Sequence, residues 1–261
     1  MSKYNKINFY GLVLQNPKVI KNEDEQRCIM PILVVRNTRD AGDDNKQIRQ
    51  DVPVIMTKNE EHIKIMETLQ PNDMVYIKGV IVTLSVEKGT ICPNCGKENK
   101  KEGTLVYIEP VFIEKRESCA TQEEAINLLY EKKEISNELT VIGNLCNDPR
   151  KVPSLTKHTI AQYQIAIPRT FRIKEQPDEN DTDFPWVKSY GKNAKEDLRR
   201  IYEGSSVLIN GYIQANSCTR KTKCPDCNTE YAWKDNFMEI VPYETEYLRN
   251  YNTDEILNNM E

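Results

Sequence analysis

The chain has 261 residues and a formal net charge of −4. That length suits two ordinary domains, each able to bury a core of its own. The near-balanced charge excludes a uniformly basic nucleic-acid coat, though a local basic groove needs no basic total. The polar opening MSKYNKINFY and the lack of any run long enough to cross a bilayer point to a cytoplasmic protein without a membrane partner.

Eight cysteines without a secretion signal point to metal or buried thiols. His62 and His158 are the only histidines, so a metal site must be built mainly from sulfur. Two CPxC motifs, at 92–95 and 224–227, lie 132 residues apart, and this shift exposes an internal repeat. The same shift pairs Gly11 with Gly143, Pro17 with Pro149, Pro53 with Pro185, Gly79 with Gly211 and Pro110 with Pro242. A gap-free register of this kind indicates duplication, with units at 1–133 and 134–261.

Each unit reads, in chain order, as strand, strand, polar loop, strand, helix, strand, cysteine hairpin, strand and closing helix. In the first unit the inner helix carries Ile63, Met66 and Leu69, and the closing helix opens with Thr121-Gln-Glu-Glu124, a capping-box pattern. In the second unit the elements are ELTVIGNL (138–145), TIAQYQIAI (159–167), an acidic loop at 175–183, PWVKSY, a helix near 192–202 bearing Ala194, Leu198 and Ile201, VLINGYIQA, the cysteine hairpin and FMEIVPYE. A helix between the third and fourth of five short strands is the order of an OB-fold. The expected class is therefore mainly β, two tandem OB-fold barrels with cysteine-bearing hairpins between their fourth and fifth strands.

Strand alternation in FPWVKSYGK (184–192) puts Phe184, Trp186, Lys188 and Tyr190 on one face. One reading makes Phe184 and Trp186 barrel core, with Lys188 snorkelling outward. The other turns them outward, because Val187, matched by Ile55 in the first copy, suits a small barrel's interior better and a lysine sits badly there. Outward rings stack nucleobases, and interleaved cations neutralise phosphates. Arg169, Phe171 and Arg172 on the neighbouring strand and Lys192 at the helix start add to the set. The first copy has Val52, Val54, Met56 and Lys58 at the corresponding positions, and Arg39 where the second has Phe171. It then contacts backbone through Arg36, Arg39, Arg49 and Lys58, or uses its aliphatic face as an interface.

The residues also resemble a known family. VIGNLCNDP (141–149), AIPRTFR and WVKSYGKNAKEDLRRIYEGSSVLINGYIQ are similar to the first four strands and the helix of bacterial single-stranded DNA-binding proteins. The resemblance covers roughly 138–217 and implies base stacking at Phe171, Phe184 and Tyr190, with a fourth stacking position occupied here by Cys218. It also implies a homodimer, as in members carrying two OB-folds per chain, and replication or recombination proteins as partners. The family's acidic tail has no counterpart in the ending YNTDEILNNME.

Thiolates two residues apart bite one metal, and structural zinc wants four in a tetrahedron. One shared structural Zn2+ held by Cys92, Cys95, Cys224 and Cys227 is the economical arrangement. Cys218, Cys119 or a histidine are rival ligands, and redox chemistry is the alternative use of a CxxC pair. No phosphate loop, HExxH, GxSxG or dinucleotide fingerprint is present, which argues against an enzyme. The leading expectation is a sequence-tolerant protein that coats and protects single-stranded DNA in replication, recombination or DNA transfer. The alternative is a zinc-containing OB-fold scaffold for protein partners.

Overall fold

The computed structural model describes residues 4–22, 25–37, 48–154, 158–169 and 181–249. In the first half the elements are β1 (Tyr4–Val13), β2 (Lys18–Lys21), β3 (Gln26–Asn37), β4 (Ile48–Asp51), β5 (Val54–Thr57), α1 (Glu60–Glu67), β6 (Asp73–Ile91), β7 (Glu98–Ser118) and α2 (Gln122–Glu131). The second half contains β8 (Asn137–Leu145), β9 (Arg150–Val152), β10 (Ile160–Pro168), β11 (Thr182–Asp183), β12 (Trp186–Tyr190), α3 (Gly191–Arg200), β13 (Ser206–Lys223) and β14 (Glu230–Arg249).

Each half closes into a barrel. In the first, β1 pairs with both β3 and β6, β3 with β5, β5 in parallel with β7, and β7 with β6. The second repeats the circuit with β8, β10, β12, β14 and β13, including a parallel contact at Val187 and Ile240 that matches Ile55 and Ile108. This is OB-fold connectivity, as the element order predicts. The alternation in β10 explains the local structure: Ala161, Tyr163, Ile165 and Ile167 are fully buried, while the residues between them stay half-exposed. Val187 and Ile55 are fully buried, so the interior side of the third strand in each barrel is the one that sequence alternation assigned to it.

The two barrels are joined through their first strands. β1 and β8 run antiparallel, with Ile7 opposite Leu139. These two residues are themselves 132 apart, so an internal pseudo-twofold axis passes between them. One contiguous cluster of buried apolar side chains spans both halves. Where β1 leaves β6, Asn5 continues the ladder with its side chain, donating to the Ile81 carbonyl at 3.0 Å and accepting the Ile81 N–H at 3.0 Å. Asn137 does the same to Ile213 at 2.8 and 3.0 Å. Gly79 and Gly211 sit at register shifts where β6 and β13 bend. A Cβ on Gly211 would lie 2.2 Å from the Val241 carbonyl oxygen, so only glycine fits.

The α2 start is capped by the residues of the expected box, with one partner shifted: Thr121 Oγ1 accepts the Glu124 N–H at 3.2 Å, and the Glu124 carboxylate accepts the N–H of Ala120, the residue before the cap, at 2.9 Å. α2 then packs Ala125 and Leu129 on Tyr10, Leu12, Leu33, Val35 and Met74 outside the first barrel. The inner helix of the second unit, α3, starts one residue before the expected 192–202 and ends two residues short of it; it buries Ala194 and Asp197, Leu198 is half-buried, and Ile201 just beyond its end is buried.

The structure differs from the sequence-based expectation in several places. The short strands β2, β4, β9 and β11 are additions to the expected order. The cysteine hairpins are not separate from the strands beside them but the tips of long ribbons, 19 and 21 residues in β6 and β7. β14 runs to Arg249, beyond the expected FMEIVPYE, and the second closing helix falls outside the described residues. The acidic loop read as solvated ends on Asp183, which is completely buried.

Candidate functional site

On β12, Trp186, Lys188 and Tyr190 are half-buried on the outer side of the second barrel while Pro185, Val187 and Ser189 are buried. Phe184, just before the strand, is 39% exposed. The rings therefore do not form the barrel interior. Across the ladder, β10 places Gln164 opposite Trp186 and Gln162 opposite Lys188. Arg150 on β9 lies over the Trp186 ring at 5.2 Å and donates to Gln162 Oε1 at 2.8 Å. Gln164 Nε2 donates to the Phe184 carbonyl at 2.9 Å. The face thus combines aromatic planes, amides and a guanidinium. Arg150 escaped the sequence reading because β9 did, although the basic pair in DPRKV just after a turn was its signal.

Several cations expected to meet phosphate are engaged inside the protein. Lys188 pairs with buried Glu239 at 3.3 Å and lies 5.9 Å from the Tyr190 ring centre. Burial works against the Lys188 charge, but Glu239 and Tyr190 outweigh it and raise its pKa. Arg36 is buried, bonded to Asp51 at 2.7 Å and stacked 4.1 Å from the Tyr212 ring centre. Arg169 grips Asp183 with two bonds of 2.7 and 2.8 Å. Lys58 pairs with Glu25 at 2.5 Å. Arg36, Arg169 and Lys188 thus serve as counter-ions of buried carboxylates, which would otherwise be left uncompensated. Lys192 is exposed on the first turn of α3. Phe171, Arg172 and Arg39 lie outside the described residues.

The two buried aspartates form a symmetric pair. Asp51 accepts the Ala215 N–H at 3.1 Å and Asp183 accepts the Thr83 N–H at 2.7 Å, so each reaches from its own barrel to the fourth strand of the other. Positions 51 and 183, and 83 and 215, are related by the 132-residue shift. On the first barrel's counterpart of the aromatic face Met56 is buried in a cluster with Val80, Val82 and Tyr107, while Val54 and Lys58 are half-buried and Val52 is exposed.

At the ribbon tips, Cys92 Sγ lies 3.6 Å from Cys227 Sγ, and Cys95 Sγ lies 3.6 Å from Cys224 Sγ. All four sulfurs fall within 4.8 Å of one another. Cys218 and Cys119 are not in this group. Sulfurs about 2.3 Å from a tetrahedral metal are about 3.8 Å apart, so the set fits one ion. The turns are matched: Gly96 and Asn228, also 132 apart, have φ of 71° and 59°, and their N–H groups donate to the Cys92 and Cys224 carbonyls. Hydrogen bonds from the Thr229 side chain and backbone draw the Cys227 thiol down to about 5. The Lys97 backbone N–H acts in the same direction on Cys95, but desolvation and the neighbouring sulfurs hold that thiol up at about 12. Lys97 and Asp226 pair at 2.7 Å, Thr90 and Tyr231 lie 2.8 Å apart, and Asp235 binds both Lys88 and Arg220 at 2.6 Å. The four cysteines could hold a metal ion, and polar contacts fasten the two ribbons below it.

No helix among the described residues is long and apolar enough to cross a membrane. No curated protein sequence matches the chain. Among solved structures, the wild-type single-stranded DNA binding protein from Thermus aquaticus superposes with a TM-score of 0.63 at 11% identity, covering 97% of this chain and 96% of that one. A deletion mutant of the same protein superposes with a TM-score of 0.64 at 13% identity, covering 97% and 98%. These matches show a shared two-barrel fold. Residues 136–236, which make up most of the second barrel, match the model of the single-strand binding protein family.

Proposed function

We propose that this protein binds single-stranded DNA with little sequence preference and protects exposed strands in the cytoplasm during replication, recombination or DNA transfer. The units at 1–133 and 134–261 divide the work: the second barrel stacks bases and the first supports it. The observation that carries this reading is the outward placement of Trp186 and Tyr190 on β12, continued by exposed Phe184. Each ring that stacks a base contributes about 1–3 kcal/mol without demanding a particular base. Arg150 and Lys192 supply phosphate contacts, with Arg172 and Arg39 proposed from sequence as further cations and Phe171 as a further stacking ring.

Cys92, Cys95, Cys224 and Cys227 hold one structural Zn2+. Bound there, the ion cross-links the two ribbons; the residues around it provide the turn amides and ion pairs that keep the sulfurs converged. Two chains associate as a homodimer, and replication or recombination proteins are the proposed partners.

A titration of labelled oligo(dT) at two salt concentrations tests the reading. Phe184→Ala and Trp186→Ala are each expected to weaken binding about 5- to 150-fold, the range corresponding to one lost stacking contact. Val52→Ala, at the position equivalent to Phe184, leaves affinity unchanged. Equal effects at positions 52 and 184, or affinity independent of salt, refute the proposal and favour a protein-binding scaffold.

A further inference from the structure

The first barrel lacks an outward aromatic strand, yet it touches the second at the point where that strand begins. Thr83, on β6, accepts the Phe184 backbone N–H on its hydroxyl oxygen at 2.9 Å. Its own N–H donates to Asp183 Oδ1 at 2.7 Å, and its hydroxyl lies 3.4 Å from the same oxygen. Arg169 fixes Asp183 from the other side, and Arg169 N–H donates to the Asp181 carbonyl at 2.7 Å. Gln164 holds the Phe184 carbonyl. Both backbone polar groups of Phe184 are thus bound, one of them by the opposite barrel.

The internal repeat supplies a comparison within the molecule. The shift carries Phe184 to Val52, Asp183 to Asp51 and Thr83 to Ala215. The backbone-to-aspartate bond is kept on both sides, at 2.7 and 3.1 Å. The hydroxyl is not: it occurs where the residue to be held is phenylalanine, and an alanine stands where that residue is valine. The barrel junction needs only the aspartate bond, since the Ala215 side forms without a hydroxyl. The Thr83 hydroxyl therefore has a task specific to Phe184.

We propose that Thr83 is a positioning residue for the nucleic-acid face, fixing Phe184 at the head of β12 so that its ring is presented to a base without first being ordered. This rests on the reading that Phe184 stacks bases. Preorganisation of this kind improves affinity by removing an ordering cost from the binding step.

The test is a double-mutant cycle on oligo(dT) affinity, with full-length protein carrying Thr83→Ala, Phe184→Ala or both. Thr83→Ala reproduces the residue found at the equivalent junction, so it is compatible with the fold. It is expected to weaken binding about 2- to 10-fold, the range of one neutral hydrogen bond, while Thr83→Ser restores most of the loss. In the Phe184→Ala background the same change should add nothing. Full affinity in Thr83→Ala beside a clear loss in Phe184→Ala overturns the positioning role alone. An equal loss from Thr83→Ala in both backgrounds overturns it as well, because that outcome is a general effect on the junction. No loss in Phe184→Ala refutes the stacking reading and this proposal with it.

Discussion

Replacing Asn5 or Asn137 by alanine should loosen the first strand of its barrel from the fourth, β1 from β6 or β8 from β13. Each asparagine side chain stands in for a peptide unit, completing both hydrogen bonds of Ile81 or Ile213 at 2.8–3.0 Å inside the protein. Alanine removes both partners and leaves one buried N–H and one buried carbonyl unsatisfied. At roughly 1–3 kcal/mol for each orphaned group, the loss is about 2–6 kcal/mol per site, a large share of the stability of an ordinary domain. Because the two sites are related by the pseudo-twofold axis and have nearly equal bond lengths, the losses should agree to within about 1 kcal/mol, a spread like that of one net hydrogen bond. Urea unfolding followed by circular dichroism measures this, read from midpoints with the slope held in view. A loss below about 0.5 kcal/mol, the level of an ordinary surface substitution, would refute the claim that these side chains extend the ladders.

Three further outcomes are expected. Metal analysis of the purified protein should find one zinc per chain; Cys92→Ser or Cys224→Ser should abolish it, and Cys218→Ser should not. Zinc retained without Cys224 would rule out a site shared between the ribbons. Two buried acids should give opposite pH dependence. Burial tends to raise the Asp73 pKa, but Lys115 at 2.8 Å and Ser118 at 2.7 Å overcome it and hold the carboxyl below its ordinary 3.8. Its contribution is thus present above that value and lost as pH falls through the folded-state pKa. Asp197 is pushed above 3.8 by burial, against hydrogen bonds from Tyr247 at 2.9 Å and Tyr163 at 3.4 Å. Its contribution is full below 3.8 and declines as pH rises through the folded-state value. Unfolding free energies from pH 2 to about 8 for Asp73→Asn and Asp197→Asn should each lose the corresponding slope relative to the parent, and slopes of the same sign would contradict the assignment.

The sequence alone determined the duplication, the β-barrel class, the place of the inner helix and the four converging cysteines. All of these rest on short-range signals: strand alternation, glycines at bends, a capping box and CPxC spacing, repeated at a fixed interval. The side of β12 that faces outward was legible too, because Val187 on the opposite side suits a small interior. Which charges remain available to a ligand depends instead on how the barrels close. Arg36, Arg169 and Lys188 read in sequence like phosphate contacts, yet their partners Asp51, Asp183 and Glu239 lie on other strands, and closure of the barrels removes all three carboxylates from water. A charge buried by folding must be neutralised by whatever cation the topology brings to it, and a linear pattern does not carry that pairing. The Thr83 contact with Phe184 is of the same kind. It exists because the first strands of two barrels pair antiparallel, bringing residues 101 positions apart within 2.9 Å of each other.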